Sequence, residues 1–201
     1  MLHKLEIWIR KHDLKVTGVI QAGSHEGQEV WLFKRLKINN GYFFEPCLRP
    51  FRILASLPVG GNYTYYQIAL SDHEGYEVMN TASYDQSNSL LKPKLHLVTH
   101  PSITFEGGEM VMLRTLDSFK ITNCNLLLID VQGYELQVLR GAKETLETID
   151  YVYVEVNKEE LYEGCSMVED VDDFLSEFTR VETKWSRYGY GDALYVKKEL
   201  L

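Results

Sequence analysis

The 201-residue sequence lacks the features that mark several large protein classes. Cysteine is scarce: Cys47, Cys124 and Cys165 are scattered, odd in number, and form no pair at metal-ligand spacing. That excludes a disulfide scaffold and predicts three reduced thiols in a cytoplasmic protein. With five prolines and no Pro-, Gly- or Ser-rich stretch, the chain has no linker to divide it, and it has no repeat. One domain over residues 1–201 is expected. No apolar run nears the ~18 residues of a membrane span. The longest, NLLLIDV at residues 125–131, is interrupted by Asp130. The opening MLHKLEIWIRKHDLK is amphipathic and has no apolar core followed by a small-residue cleavage site, so neither a leader nor a membrane partner is expected. Positive charge is in deficit, 21 Lys+Arg against 29 Asp+Glu, for a net charge of −8. A broad nucleic-acid surface concentrates Lys and Arg, so a nucleic-acid partner is disfavoured.

What is present is an ordinary globular composition, 45% hydrophobic and 25% charged. A chain of this length buries roughly 70% of its unfolded surface and needs no metal to fold. Strands and helices alternate along it. Residues 2–15 set Leu5, Trp8, Ile9 and His12 on one helical face. Residues 16–23 predict a buried strand, and Val30, Phe33 and Leu36 a helix that NNG at 39–41 stops. A second strand is expected at 42–46, a helix around Phe51, Leu54 and Ala55, and a third strand over 62–70. Residues 71–117 read as an irregular insertion, with short strands near 76–79 and 110–113. Residues 125–131 predict a buried strand, 135–148 a helix and 151–156 a strand. Val168, Val171, Phe174, Leu175 and Phe178 predict a further helix, and two strands close the chain. This alternation is the signature of an α/β fold with a mostly parallel sheet covered on both faces. The last two strands are joined by only SRYGYGD, so they pair antiparallel. A seven-stranded sheet closed by such a hairpin is typical of Rossmann-like class I methyltransferases that use S-adenosylmethionine.

Four places carry candidate chemistry. QAGSHEG at residues 21–27 joins the first strand to a helix; Gly23 and Gly27 suit either a structural turn or a ligand loop. The spacing is not the G-x-G-x-x-G of a dinucleotide site, but fits a ligand carrying a carboxylate. Glu45 ends the second strand about 20 residues later, where an acidic residue accepts from ribose hydroxyls; the alternative is a solvated strand-end carboxylate. Asp130 ends the most apolar strand, at the switch point where open α/β sheets bind ligands, or else it is a salt-bridged structural Asp. Glu155 interrupts another apolar strand and needs a partner, structural or on the substrate side.

In order, the chain carries AGSHEG (22–27), FEP (44–46), IALSDHEG (68–75), RTLDSF (114–119), LIDVQGYELQVLRGA (128–142) and YVEV (153–156). This set resembles the FkbM family of S-adenosylmethionine-dependent methyltransferases, over residues 16 to about 198. The resemblance implies that Gln21, Ala22, Gly23, Ser24, His25 and Gly27 line the methionine portion of the cofactor. It implies that Glu45, with Pro46, meets the ribose, that Ala69, Leu70 and Asp72 flank the adenine, and that Asp130 and Val131 sit by the methyl-donor end. Ser89 matches a serine-containing segment near the family's active site. The family often has Asp where Gln21 stands, and Ala-Asn where this chain has Ser24-His25. A neutral Gln21 accepts from the cofactor's ammonium more weakly than a carboxylate does.

The implied activity is O-methylation of a hydroxyl on a sugar, glycan or small metabolite. An alcohol acceptor loses a proton as it attacks, which asks for a general base. The candidates are Asp130, His25 and Glu155. Residues 71–117 and the turn from Trp185 to Asp192, with Tyr188 and Tyr190, are expected to wall the acceptor site. His73, His96 and His100 are expected at the surface, with His96 and His100 as alternative acceptor-pocket residues. No metal is expected. A nucleic-acid 2′-O-methyltransferase and a non-catalytic cofactor-binding protein remain as rivals.

Overall fold

Leu126, Leu127, Leu128 and Ile129 are all completely buried, and the fold is built outward from them. The computed structural model describes the backbone of residues 2–201 and the side chains of residues 4–201. In chain order its main elements are α1 (Leu2–Lys11), β1 (Gly18–Ala22), α2 (Val30–Arg35), β2 (Asn40–Phe44), α3 (Leu48–Ala55), β3 (Asn62–Tyr66), β4 (Ala69–Leu70) and β5 (Gly75–Ala82). They continue with α4 (His96–Thr99), β6 (Phe105–Arg114), β7 (Leu126–Ile129), α5 (Glu135–Arg140), α6 (Lys143–Leu146), β8 (Tyr151–Asn157), α7 (Val168–Phe174), β9 (Phe178–Trp185) and β10 (Tyr190–Lys197).

Seven strands form one sheet in the order β3-β2-β1-β7-β8-β10-β9. The first five are mutually parallel, and β10 pairs antiparallel with both β8 and β9. The expected architecture is present. Side chains alternate between two apolar layers. Ile20, Leu127, Ile129, Val152 and Val154 pack with Val138 and Leu139 of α5 and Val168 and Val171 of α7. Val19, Leu126, Leu128 and Tyr153 pack with Leu5 and Trp8 of α1, Phe33 of α2 and Leu54 of α3. Each such side chain contributes roughly 1.5–3 kcal/mol by leaving water. Among the described residues, no helix is long and apolar enough to cross a membrane.

Several elements depart from expectation for local reasons. The third strand splits: β3 joins the main sheet, while β4 belongs to a second sheet of order β4-β6-β5. The insertion is therefore ordered, and its strands are longer than the short ones expected. The helix expected over residues 135–148 breaks after Arg140, where Gly141 packs on the backbone of Ser71. A side chain there would overlap the Ser71 carbonyl oxygen. Helix α6 restarts under Asp117, whose carboxylate accepts from the backbone N–H of Glu144 (3.0 Å) and of Thr145 (2.8 Å). Such a cap is worth about 1 kcal/mol. Helix α1 stops at Lys11, followed by a left-handed Asp13 (φ 48°), and His12 turns aside to meet Glu182 at 2.8 Å. Phe178, expected in a helix, opens β9.

Candidate active site

The order of the main sheet reverses at β1, which lies between β2 and β7. The chain leaves the carboxyl ends of these strands through Gly23, Glu45 and Asp130, so a crevice opens there. Gly23 has φ 76°, and any Cβ on it would overlap the carbonyl oxygen of Asp130. Glycine is thus required for the first and fourth parallel strands to approach. The Gly23 and Ser24 N–H groups both donate to the Phe44 carbonyl at 3.0 Å, tying the loop to β2. Gly27, also left-handed, would press a Cβ to within 2.7 Å of Leu54 and 2.6 Å of Leu57. Ala22, Ser24 and Gly27 back the loop, whereas Gln21, Gly23 and His25 face a cavity of about 480 Å³.

That cavity is lined on one side by Ile68, Ala69, Leu70, Met79, Leu90 and Val131. Its carboxylates are Glu29, Glu45, Asp85 and Asp130, and neither lysine nor arginine lines it. Glu45 is buried, with Oε2 accepting from the His25 N–H and Oε1 from the Cys47 N–H, each at 2.9 Å. Each oxygen keeps a lone pair for a further donor. Burial pushes this carboxyl up to about 7, against the pull of the two N–H groups. Cys47 also faces the cavity, but burial and then Glu45 push its thiol up to about 12, which removes it as a nucleophile. All three cysteines are buried and free.

Asp130 stands where β7 ends. Gln132, left-handed at φ 56°, folds back and donates from Nε2 to Asp130 (2.7 Å) and Glu155 (2.9 Å). Its amide oxygen accepts from the Tyr162 hydroxyl at 3.1 Å, and its carbonyl from the Ser89 hydroxyl at 2.7 Å. Burial raises both Asp130 and Glu155; the carboxylate of Asp130 then pushes Glu155 higher still. The two buried carboxyls are joined through the Gln132 amide, and Asp130 is the one that lines the cavity. Glu135 holds the turn from inside, accepting from the Gly133 N–H at 3.0 Å and the Val131 N–H at 3.2 Å. Burial pushes its carboxyl up to about 7.

His25 bridges the glycine loop to the insertion. Its Nε2–H donates to Asp85 at 2.9 Å, and its Nδ1 accepts from the Gln28 amide at 2.8 Å. Both ring nitrogens are engaged, so His25 acts here as a tether. His25, Glu26 and Asp85 are close enough to share a metal ion. The Arg49 guanidinium already pairs with Asp85 and lies 3.9 Å from Glu26.

Other expected residues lie elsewhere. Asp72 is exposed and hydrogen-bonded to His73, which lowers its pKa, and it does not line the cavity. Glu155 sits behind Asp130. The closing turn is not a wall of this cavity: Tyr188 packs on His100 at 4.8 Å between ring centroids, and Trp185 lies under Lys158. His96 is buried among His100, Phe105 and Tyr162, and burial brings it down to about 4. Its expected surface position is thus corrected. The insertion does reach the cavity through Met79, Asp85, Gln86, Asn88 and Leu90. In the sequence Glu29 and Gln132 carry no signal of their own, and Asp85 has only that of the polar run ASYDQSNS at residues 82–89.

The arrangement suits a ligand with an apolar planar part, hydroxyls near Glu45 and positive charge near the acidic wall. A pyrophosphate has no cation to meet it there. Strand order and crevice together define the class: this is the Rossmann-like methyltransferase fold. Residues 21–190 match the family described as the methyltransferase FkbM domain, and the chain belongs to it. A curated relative, the 2-O-methyltransferase NoeI of Sinorhizobium fredii (strain NBRC 101917 / NGR234), is 29% identical over 189 residues, 88% of this chain and 77% of the relative. The solved methyltransferase FkbM of Methylobacillus flagellatus KT is similar at TM-score 0.63 and 13% identity; the match covers 94% of this chain but 46% of that one. This chain thus spans about half the length of that protein. Magnesium protoporphyrin IX methyltransferase (ChlM) of Synechocystis PCC 6803, solved with bound SAM, is similar at TM-score 0.55 and 10% identity, over 98% of this chain and 78% of its own.

Proposed function

We propose that this chain methylates a hydroxyl of a sugar, glycan or small metabolite, using S-adenosylmethionine. The observation that carries this reading is the switch-point cavity where Gly23, Glu45 and Asp130 meet on an acidic wall that no lysine or arginine lines. The family and the O-methyltransferase relative support it. The residues present fit the cofactor: Gly23 leaves its loop without a side chain, and the buried Gln21 Oε1 lacks any hydrogen-bond partner. Gln21 and Gly23 would lie beside its amino-acid end, Glu45 beside the ribose, and Ile68, Ala69 and Leu70 against the adenine. Bound there, the cofactor supplies an electrophilic methyl group.

The protein's work is then to align an acceptor and take its proton. Asp130 is the member of the carboxyl pair that lines the cavity. It is the group best placed to receive or orient the acceptor's hydroxyl proton. Asp85, Gln86 and Asn88 bring polar groups from the insertion to the same cavity, where an acceptor's other hydroxyls would bind. The test is a panel of hydroxylated acceptors incubated with methyl-labelled cofactor. Label should enter an acceptor, and Asp130→Asn should slow its transfer ~10²–10⁴-fold. Full-rate transfer by Asp130→Asn would remove Asp130 from the chemistry.

A further inference from the structure

Gln21 and Glu29 stand side by side on the cavity wall, 1% and 8% exposed. The Gln21 amide donates from Nε2 to Glu29 Oε2 at 3.1 Å. That bond fixes the amide's orientation, since turning it over would set its oxygen against a carboxylate. Oε1 of Gln21 is therefore the atom left open, and it is buried without a partner. Glu29 is short of charge in the same way. Among the described residues, the charge that acts on it is that of Asp130, of the same sign. A buried carboxylate with no Lys, Arg or His ion pair among the described residues and a buried amide oxygen without a donor are both unfavourable. One ligand group answers both: a cation with more than one N–H. Water brings donors but no charge, whereas a primary ammonium brings both.

We infer that Gln21 and Glu29 form the subsite for the ammonium of the cofactor's amino-acid end, with Glu29 as its charge partner. The assignment rests on the S-adenosylmethionine reading above. Glu29 lies in the turn before α2, eight residues from Gln21 in sequence, and the two meet because Gly27 lets the loop double back. The strand residue supplies a neutral acceptor and the turn residue supplies the charge. Selectivity for an amine-bearing ligand then resides in Glu29, and recognition of the nucleoside resides in Glu45 and the apolar wall.

The experiment is calorimetric titration of two ligands that share the nucleoside end, S-adenosylhomocysteine and 5′-methylthioadenosine; only the first has the ammonium. Glu29→Gln should weaken S-adenosylhomocysteine about tenfold or more, as expected for a lost hydrogen bond to a charged group, and leave methylthioadenosine within about twofold. Adding Gln21→Asp to Glu29→Gln should return charge to the subsite and recover most of that loss. Methylthioadenosine binding by the variant also reports that the cavity is still folded. Unchanged S-adenosylhomocysteine affinity in Glu29→Gln, or an equal loss for both ligands, overturns the assignment. No binding of either ligand by the unaltered chain overturns the cofactor reading, and the Glu29 assignment falls with it.

Discussion

The two sheets are built on different terms. In the main sheet, β7 and most of β8 are buried on both faces. In the small sheet, Met79, Val111 and Leu113 point inward, while Tyr76, Val78, Met110 and Met112 point to solvent, 69%, 50%, 64% and 39% exposed. The main sheet sets the carboxyl ends that bear Gly23, Glu45 and Asp130. The small sheet and the turn after it bring Met79, Asp85 and Asn88 to the same cavity from the other side. One side of the cavity is thus held by a rigid double-faced core. The other hangs on a one-faced layer, where sequence can vary at less cost to the fold.

Gly23 is the sharpest point of this contrast. Gly23→Ala should lose about 4 kcal/mol or more, because both the left-handed backbone and the Asp130 carbonyl oppose a Cβ. Gly164 is also left-handed, φ 69°, but a Cβ there meets nothing within 4 Å. Gly164→Ala should cost only the backbone term, about 1–2 kcal/mol. Urea unfolding of the two variants separates the effects, and equal losses would contradict the tight β1–β7 approach.

Next in size is the core itself. Leu128→Ala, at a fully buried position on β7, should cost about 2–5 kcal/mol. Met110→Ala on the outer face of β6 should stay within about 0.5 kcal/mol. A comparable loss for Met110→Ala would mean that the outer face is covered in solution.

How far the sequence alone reaches follows the same division. The β7 strand was legible because four consecutive apolar residues leave no other plausible place for them. The split of residues 62–70 was not, because Asn62–Tyr66 and Ala69–Leu70 are equally suited to a strand and only the second sheet separates them. The break at Gly141 was hidden by Leu136, Leu139 and Leu146, which keep helical spacing across it. Its cause, the Ser71 carbonyl, lies 70 residues away. Glu45 and Asp130 could be singled out as acids ending apolar strands. Glu29 could not, since an acid before a helix is the commonest surface pattern there is. Trp185, Tyr188 and Tyr190 invited an acceptor-site role by composition, yet rings pack on whatever is near, here His100 and Lys158.

A further expected effect is one of pH. Glu45 titrates near 7 in the folded protein, above its ordinary 4.5, because burial disfavours its charge. A raised carboxyl stabilises the fold fully below its unfolded pKa, and that contribution is lost as pH rises through the folded one. The unaltered protein should therefore lose stability relative to Glu45→Gln between about pH 5 and pH 8. Ligand hydroxyls prefer the carboxylate as acceptor, so affinity for S-adenosylhomocysteine should rise over the same interval. Parallel unfolding curves at pH 5 and pH 8 for the two proteins would place Glu45 in water, against its observed burial.

The most direct test of the account is calorimetric titration of the whole chain at pH 8, with S-adenosylhomocysteine and separately with NAD. One S-adenosylhomocysteine should bind per chain and NAD should not, because the glycine loop faces four carboxylates and no Lys or Arg. Binding of NAD, with no heat from S-adenosylhomocysteine, would contradict it.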